Sequence, residues 1–235
     1  MHSDVGVRPN AVSQLVAHNN PQSPSRQAEN PGLTSRARAG HTEAQLTLGL
    51  KLLNGAGMAM NIERAAGWLE RAAESGQPVA QETLGVLYQT GTGVAADMTK
   101  AIRWYEAAAH SGNVKAMSNL GKAYAGGWSE GTDYAKAVQW FSRAAGFGDV
   151  DAQFDLAILC ERGEGVPRNL TDAYKWYSIA AKQGDRDAMA RAATVGAQLL
   201  PVYLREASAA AEGFKPSRAN RAANDIPALV AAEQR

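Results

Sequence analysis

The sequence predicts an all-α fold: a right-handed α-solenoid of about four 36-residue helix–turn–helix units, a partial fifth and a C-terminal capping helix. Three observations predict it. Trp68, Trp104, Trp140 and Trp176 stand 36 residues apart. Gly76, Gly112, Gly148 and Gly184 keep the same interval, and Gly40 extends that column back by one. Ala44, Ala80, Ala116, Ala152 and Ala188, with Leu48, Leu84, Leu120 and Leu156, follow the same period without insertion. Columns that agree over this length mark stacked supersecondary units.

Taken in chain order, residues 1–40 hold Pro9, Pro21, Pro24 and Pro31 among Ser, Asn and Gln, with few large apolar groups. Such a segment buries too little surface to offset the entropy of ordering, and it reads as a disordered leader. The solenoid reads as residues 41–200. In its second unit, Ala80, Leu84, Leu87 and Tyr88 give the i, i+4, i+7, i+8 stripe of a first helix. Pro78 suits that helix's first turn, whose N–H has no partner in any case. Gly91-Thr92-Gly93 stops it, because glycine takes the positive φ of a helix C-terminus.

A second helix is expected to start at the column Asn61, Asp97, Asp133, Asn169, all preferred N-cap residues. Ala101, Trp104, Tyr105, Ala108 and Ala109 form its expected buried stripe, and Gly112 closes the unit. On this reading the four periodic Trp residues and the four periodic Gly residues are the structural core of the repeat. Truncating one such Trp is expected to cost about 3–5 kcal/mol. No fifth Trp follows Trp176; instead Pro201 opens an Ala-rich capping helix, residues 201–214, as an exposed solenoid end requires. Residues 215–235 read as a disordered tail.

Composition narrows the function. Lys plus Arg is 24 against 23 Asp plus Glu, a net charge of +1, so a global nucleic-acid or anionic-membrane footprint is not supported. No apolar run approaches the length of a membrane-spanning helix. Cys160 is the single cysteine, which rules out an intramolecular disulfide and a cysteine-based zinc site.

The motif Ala80-Gln81, Leu84-Gly85, Leu87-Tyr88, Gly91-Thr92-Gly93-Val94, Asp97, Lys100-Ala101, Trp104-Tyr105, Ala108-Ala109, Gly112 resembles the Sel1-like repeat, a relative of the tetratricopeptide repeat. The resemblance covers roughly residues 41–200. The C-terminal segment, Leu199-Leu200-Pro201 through Phe214-Lys215-Pro216 to Ala222-Ala223-Asn224, is similar to the end of alphaproteobacterial PodJ-like polar localization factors, with Phe214 where those carry Trp. The resemblance implies a non-catalytic adaptor that binds a partner protein or peptide on its concave face, in bacterial polarity, envelope assembly or signalling. The alternatives it leaves are a regulator of an envelope enzyme or sensor, and an enzyme or binder acting on cell-wall fragments. A start at Met1 implies the cytoplasm, and an anchored piece the periplasm.

Aligned with the tetratricopeptide pattern, the first helices turn Glu82, Thr83, Val86 and Gln89 toward the groove. One unit later come Ser118, Asn119 and Lys122, and two units later Phe154, Asp155, Ile158 and Glu161. These are the expected partner-binding residues. Trp128, in the aberrant turn Gly126-Gly127-Trp128-Ser129-Glu130-Gly131, is a candidate interface anchor.

No residue pattern carries chemistry. The Gly-x-Gly pairs at 55/57, 91/93 and 163/165 lack a preceding strand and a third glycine, so they read as turns rather than phosphate loops. His2, His18, His41 and His110 include no i, i+4 pair for a metal. Cys160 falls in the column of Leu52, Tyr88 and Tyr124 and reads as a small core residue. No catalytic residue, cofactor or metal is expected.

Overall fold

The computed structural model describes residues 31–126 and 131–226. Every regular element among them is helical: α1 Pro31–Arg38, α2 Thr42–Asn54, α3 Ile62–Glu74, α4 Pro78–Thr90, α5 Met98–His110, α6 Val114–Gly126, α7 Tyr134–Gly146, α8 Val150–Arg162, α9 Leu170–Lys182, α10 Arg186–Gly196, α11 Pro201–Gly213 and α12 Arg221–Asn224. They form two compact units. One contains residues 31–116 together with 220–226, and the other residues 117–219. In the first unit α1 packs on α2, α2 on α3, α3 on α4 and α4 on α5. In the second α7 packs on α8, α8 on α9, and α9 on both α10 and α11.

The capping chemistry repeats. The side chains of Asn61, Asp97, Asp133 and Asn169 accept from the backbone N–H of Arg64, Lys100, Lys136 and Asp172. Their own N–H groups donate back to the first helix, to the carbonyls of Leu52, Tyr88, Tyr124 and Cys160 at 2.8–2.9 Å. Each helix pair is thereby closed by one column of residues. First helices are also fastened to the preceding second helix: Gln45, Gln81 and Gln153 donate Nε2 to the carbonyls of Ala37, Ala73 and Ala145 at 3.0–3.2 Å.

Three expectations are corrected. The first concerns the tryptophans. Trp68, Trp104, Trp140 and Trp176 are only half-buried, whereas the residues after them, Leu69, Tyr105, Phe141 and Tyr177, are 0–1% exposed. Counting from Ala101, the i, i+4, i+7, i+8 stripe selects Tyr105, Ala108 and Ala109 and leaves Trp104 on its border. Gly85 and Gly121 explain why the aromatic fits. A Cβ at Gly85 would lie 2.6 Å from the Tyr105 ring, and one at Gly121 2.5 Å from the Phe141 ring.

The second concerns residues 31–40, which the sequence assigns to the leader. Residues 31–38 are α1, with Leu33 and Ala37 buried. This helix matches the end of a second helix: Ala37 lies 36 residues before Ala73 and takes the same Gln clip. Gly40 (φ +91°) ends it as Gly76 (φ +83°) ends α3. The third concerns the tail. Residues 215–226, expected to be disordered, include α12 and several hydrogen bonds to the repeats, because polar backbone and Asn groups dock it rather than apolar side chains. Trp128 and residues 1–30 lie outside the described residues.

Candidate functional site

The expected partner-binding residues sit on α4, α6 and α8. Within the unit containing α4, Val79 to Tyr88 are all buried, Glu82, Thr83 and Val86 among them, and Gln89 is half-buried. In the other unit Ser118, Asn119, Lys122, Phe154, Asp155 and Ile158 are buried and Glu161 is half-buried. These residues were expected to face the groove and meet a partner; in the structure most of them are enclosed by their own unit. These helices are enclosed nearly all round, and several of their polar side chains are held by neighbours.

The commitments are specific. Tyr105 Oη donates to Gln89 Oε1 at 2.6 Å, and Tyr177 Oη donates to Glu161 Oε2 at 2.8 Å. The pairs are 16 residues apart in sequence and occupy equivalent repeat positions, so one column of tyrosine phenols is anchored on one column of side-chain oxygens. Burial, then the Glu161 hydrogen bond, raises the Tyr177 phenol far above its ordinary range. Glu161 also faces Arg191 at 3.7 Å. Lys122 Nζ reaches Asp151 at 3.1 Å, a pair with one buried and one exposed member. Phe154 meets Tyr177 edge to face, with centroids 5.5 Å apart. Burial pushes the carboxyl of Asp149, which caps α8 through Ala152, above its usual value.

The surface feature that sequence reasoning missed is a ladder of basic groups on aromatic rings. Arg71 covers Trp68 at 4.7 Å and Lys100 covers Tyr88 at 5.1 Å in one unit. In the other, Lys136 covers Tyr124 at 5.0 Å, Arg143 covers Trp140 at 4.8 Å and Lys175 covers Trp176 at 4.6 Å. The signal was present as Trp-x-x-Arg at 68–71 and 140–143, and as Tyr followed 12 residues later by Lys. Beside it lies an open cavity of about 310 Å³ between α3, α4 and α5, lined by Glu70, Tyr88, Lys100, Arg103, Trp104 and Ala107. Burial, then the Glu70 charge, raises the Tyr88 phenol above its ordinary value.

In the fourth repeat Cys160 replaces the column's tyrosine. It is buried, and desolvation, followed by the Asp172 charge, pushes its thiol up to about 11, which is the opposite of an activated nucleophile. His110 Nδ1 lies 2.6 Å from the Glu106 carbonyl of its own helix. The Gly-x-Gly pairs at 55/57, 91/93 and 163/165 all have φ between +68° and +74° and close helix ends. Among the described residues no group of three His, Cys, Asp or Glu side chains is placed to hold a metal ion. No helix among them is long and apolar enough to cross a membrane.

A family model for the Sel1 repeat matches residues 42–77, 78–113, 114–146 and 150–185, more than half of the chain. The chain belongs to the Sel1 repeat family. Its fold is the Sel1 helix–turn–helix solenoid repeat, and Sel1 repeat proteins act generally as protein-interaction scaffolds. Among solved structures, it is similar to c5321, a protective antigen present in uropathogenic Escherichia coli strains and displaying an SLR fold. That match has 31% identity and a TM-score of 0.68, over 77% of this chain and 40% of the other. It is also similar to a Sel1 repeat protein from Oxalobacter formigenes, at 29% identity and TM-score 0.67 over 79% of each chain. The chain thus spans less than half of the Escherichia coli antigen's length. No curated protein matches it.

Proposed function

We propose that this Sel1 repeat chain is a non-catalytic scaffold that binds a partner protein or peptide on the concave face formed by its first helices, in bacterial polarity, envelope assembly or signalling. One observation carries the reading. Glu82 and Thr83 on α4, and Asp155 on α8, are polar or charged side chains buried where an apolar residue would pack at lower cost. These buried groups fix the polar register of the first helices from within, and Gln89 and Glu161, half-buried at the edge of the same helices, are the side chains that can meet a partner. The preformed repeats lower the ordering cost of binding.

The test is affinity capture from the source cells with wild type and with two near-isosteric variants, Glu82→Gln and, separately, Asp155→Asn. A partner lost by either variant at an unchanged melting temperature supports the reading. Identical captures by all three would place binding elsewhere, with the Trp104 cavity the next surface to change.

A further inference from the structure

The C-terminal segment is read side chain by side chain at the junction between α5 and α6. Asn224 Oδ1 accepts from the Val114 N–H at 2.8 Å, so a residue 110 positions away caps the first turn of α6. Asn224 Nδ2 donates to the Gly112 carbonyl at 3.0 Å and to the Asn220 carbonyl at 2.6 Å. Asn113 completes the grip. Its Oδ1 caps α6 through the Ala116 N–H at 2.8 Å, and its Nδ2 donates to the Ala223 carbonyl at 2.5 Å. Ala223 is the one buried side chain of α12.

This junction is unlike its counterparts in the column. The residue after each unit-closing glycine is His41, Gln77, Asn113, Asp149 or Asp185. Asp149 and Asp185 cap their helices with an oxygen and have no second donor. His41 makes no side-chain cap, and both cap bonds of Gln77 use Oε1. Gln77 and Asn113 both cap with oxygen and keep an amide NH2; what distinguishes Asn113 is that its Nδ2 donates to the Ala223 carbonyl of the C-terminal segment. The segment it holds contributes hydrogen bonds and one small buried methyl, with no aromatic or aliphatic anchor, so the contact is specific and readily released. In the other unit the preceding residues also meet the repeats, at other positions: Ser217 donates its N–H to the Gly146 carbonyl at 2.9 Å, and Phe214 stacks edge-on against Trp176.

We propose that the Gly112–Val114 junction is a peptide-binding ledge selective for an Asn-bearing turn, and that the chain's own residues 220–224 occupy it in cis as a releasable ligand. The helix α12 that occupies the ledge also packs against α4, but the test reads bonds of Asn113 and Asn224, neither of which lies on α4, so its failure is distinguishable from failure of the first-helix reading. Tethering gives the segment an effective concentration in the millimolar range, and an added copy must compete with it.

The experiment uses the full chain and a fluorescein-labelled synthetic peptide of residues 214–226, read by fluorescence polarisation. Asn224→Ala in the protein weakens the internal competitor, and this variant is expected to bind the wild-type peptide about tenfold or more tightly than the unaltered chain does. Asn113→Asp, added to that variant, keeps the cap oxygen but removes the donor and is expected to abolish the gain. A peptide carrying Ala in place of Asn224 is expected to lose the same factor. Hydrogen exchange at the Val114 amide is the second measurement, expected to run about tenfold faster in Asn224→Ala than in the unaltered chain. Equal peptide affinity for the unaltered and Asn224→Ala chains overturns the proposal, as does no binding to either, or Val114 exchange that Asn224→Ala leaves unchanged.

Discussion

Helices α4 and α5 are consecutive, equally long and closed by the same cap, yet they bury their side chains differently. In α4 ten consecutive residues are buried, and in α5 only five, Ala101, Ile102, Tyr105, Ala108 and Ala109. The first helix is enclosed on nearly every side, whereas the second turns one stripe inward and leaves the rest to solvent. A substitution should therefore be felt almost anywhere on α4 and only along the stripe on α5. The adjacent aromatics Trp104 and Tyr105 are the most direct place to test this.

The largest effect is expected at Tyr105. Tyr105→Ala empties a fully buried site and releases Gln89, and should cost about 3–5 kcal/mol in chemical unfolding. Trp104→Ala removes a larger but half-buried side chain and should cost about 1–2 kcal/mol, in proportion to the smaller apolar area it covers. Equal losses would break the comparison. Next comes Gly85→Ala on α4. Its new Cβ meets the Tyr105 ring at 2.6 Å, and overpacking of this kind costs about 1–3 kcal/mol. Combined with Tyr105→Leu, the pair should lose less than the sum of its members, because the smaller side chain gives way.

A smaller effect belongs to the cap shared by the two helices. Asp97→Ala frees the Lys100 N–H and should cost about 1 kcal/mol. Lys100→Ala, on the solvent side, should stay within about 0.5 kcal/mol. At neutral pH the smallest effect is that of the Cys160 thiol, whose contribution emerges only in alkali. Its folded value of about 11 lies above the ordinary value near 9, so the unfolded chain releases that proton first. Stability should then be insensitive to Cys160 ionisation below about pH 9 and fall between about pH 9 and 11. The difference in unfolding free energy between wild type and Cys160→Ala, followed over that interval, isolates the thiol. A constant difference would mean that it titrates alike in both states.

Much of the helix layout was legible in the sequence because the repeat states it several times. The Asn61, Asp97, Asp133 and Asn169 caps and the unit-closing glycines recur at one period, and each recurrence supports the others. Which aromatic points inward was not legible from period alone, since Trp104 and Tyr105 repeat with the same spacing. Only the phase set by Ala101 separates them. The enclosure of Glu82, Thr83, Lys122 and Asp155 was hidden for a related reason: a polar residue on a weakly amphipathic helix reads as exposed until its neighbours are placed. Helix α1 was missed because Pro31–Arg38 shares few of the columns that identify a unit, with no Trp at residue 32. The hold on residues 220–224 was missed because Asn113 and Asn224 are 111 residues apart in sequence and carry no apolar signature.

The glutamine clips have a consequence for how such a chain can change length. Gln45, Gln81 and Gln153 each fasten a helix to a carbonyl only eight residues back. The fastening at each of these junctions is written within the junction itself and needs no distant match elsewhere. A duplicated or deleted block that contains such a glutamine would bring or remove its own fastener together with its own caps, and leave its neighbours' bonds as they were. Growth by whole units is then nearly neutral for the surviving joints, whereas a shift of one or two residues would strip a clip, a cap and a buried ring together.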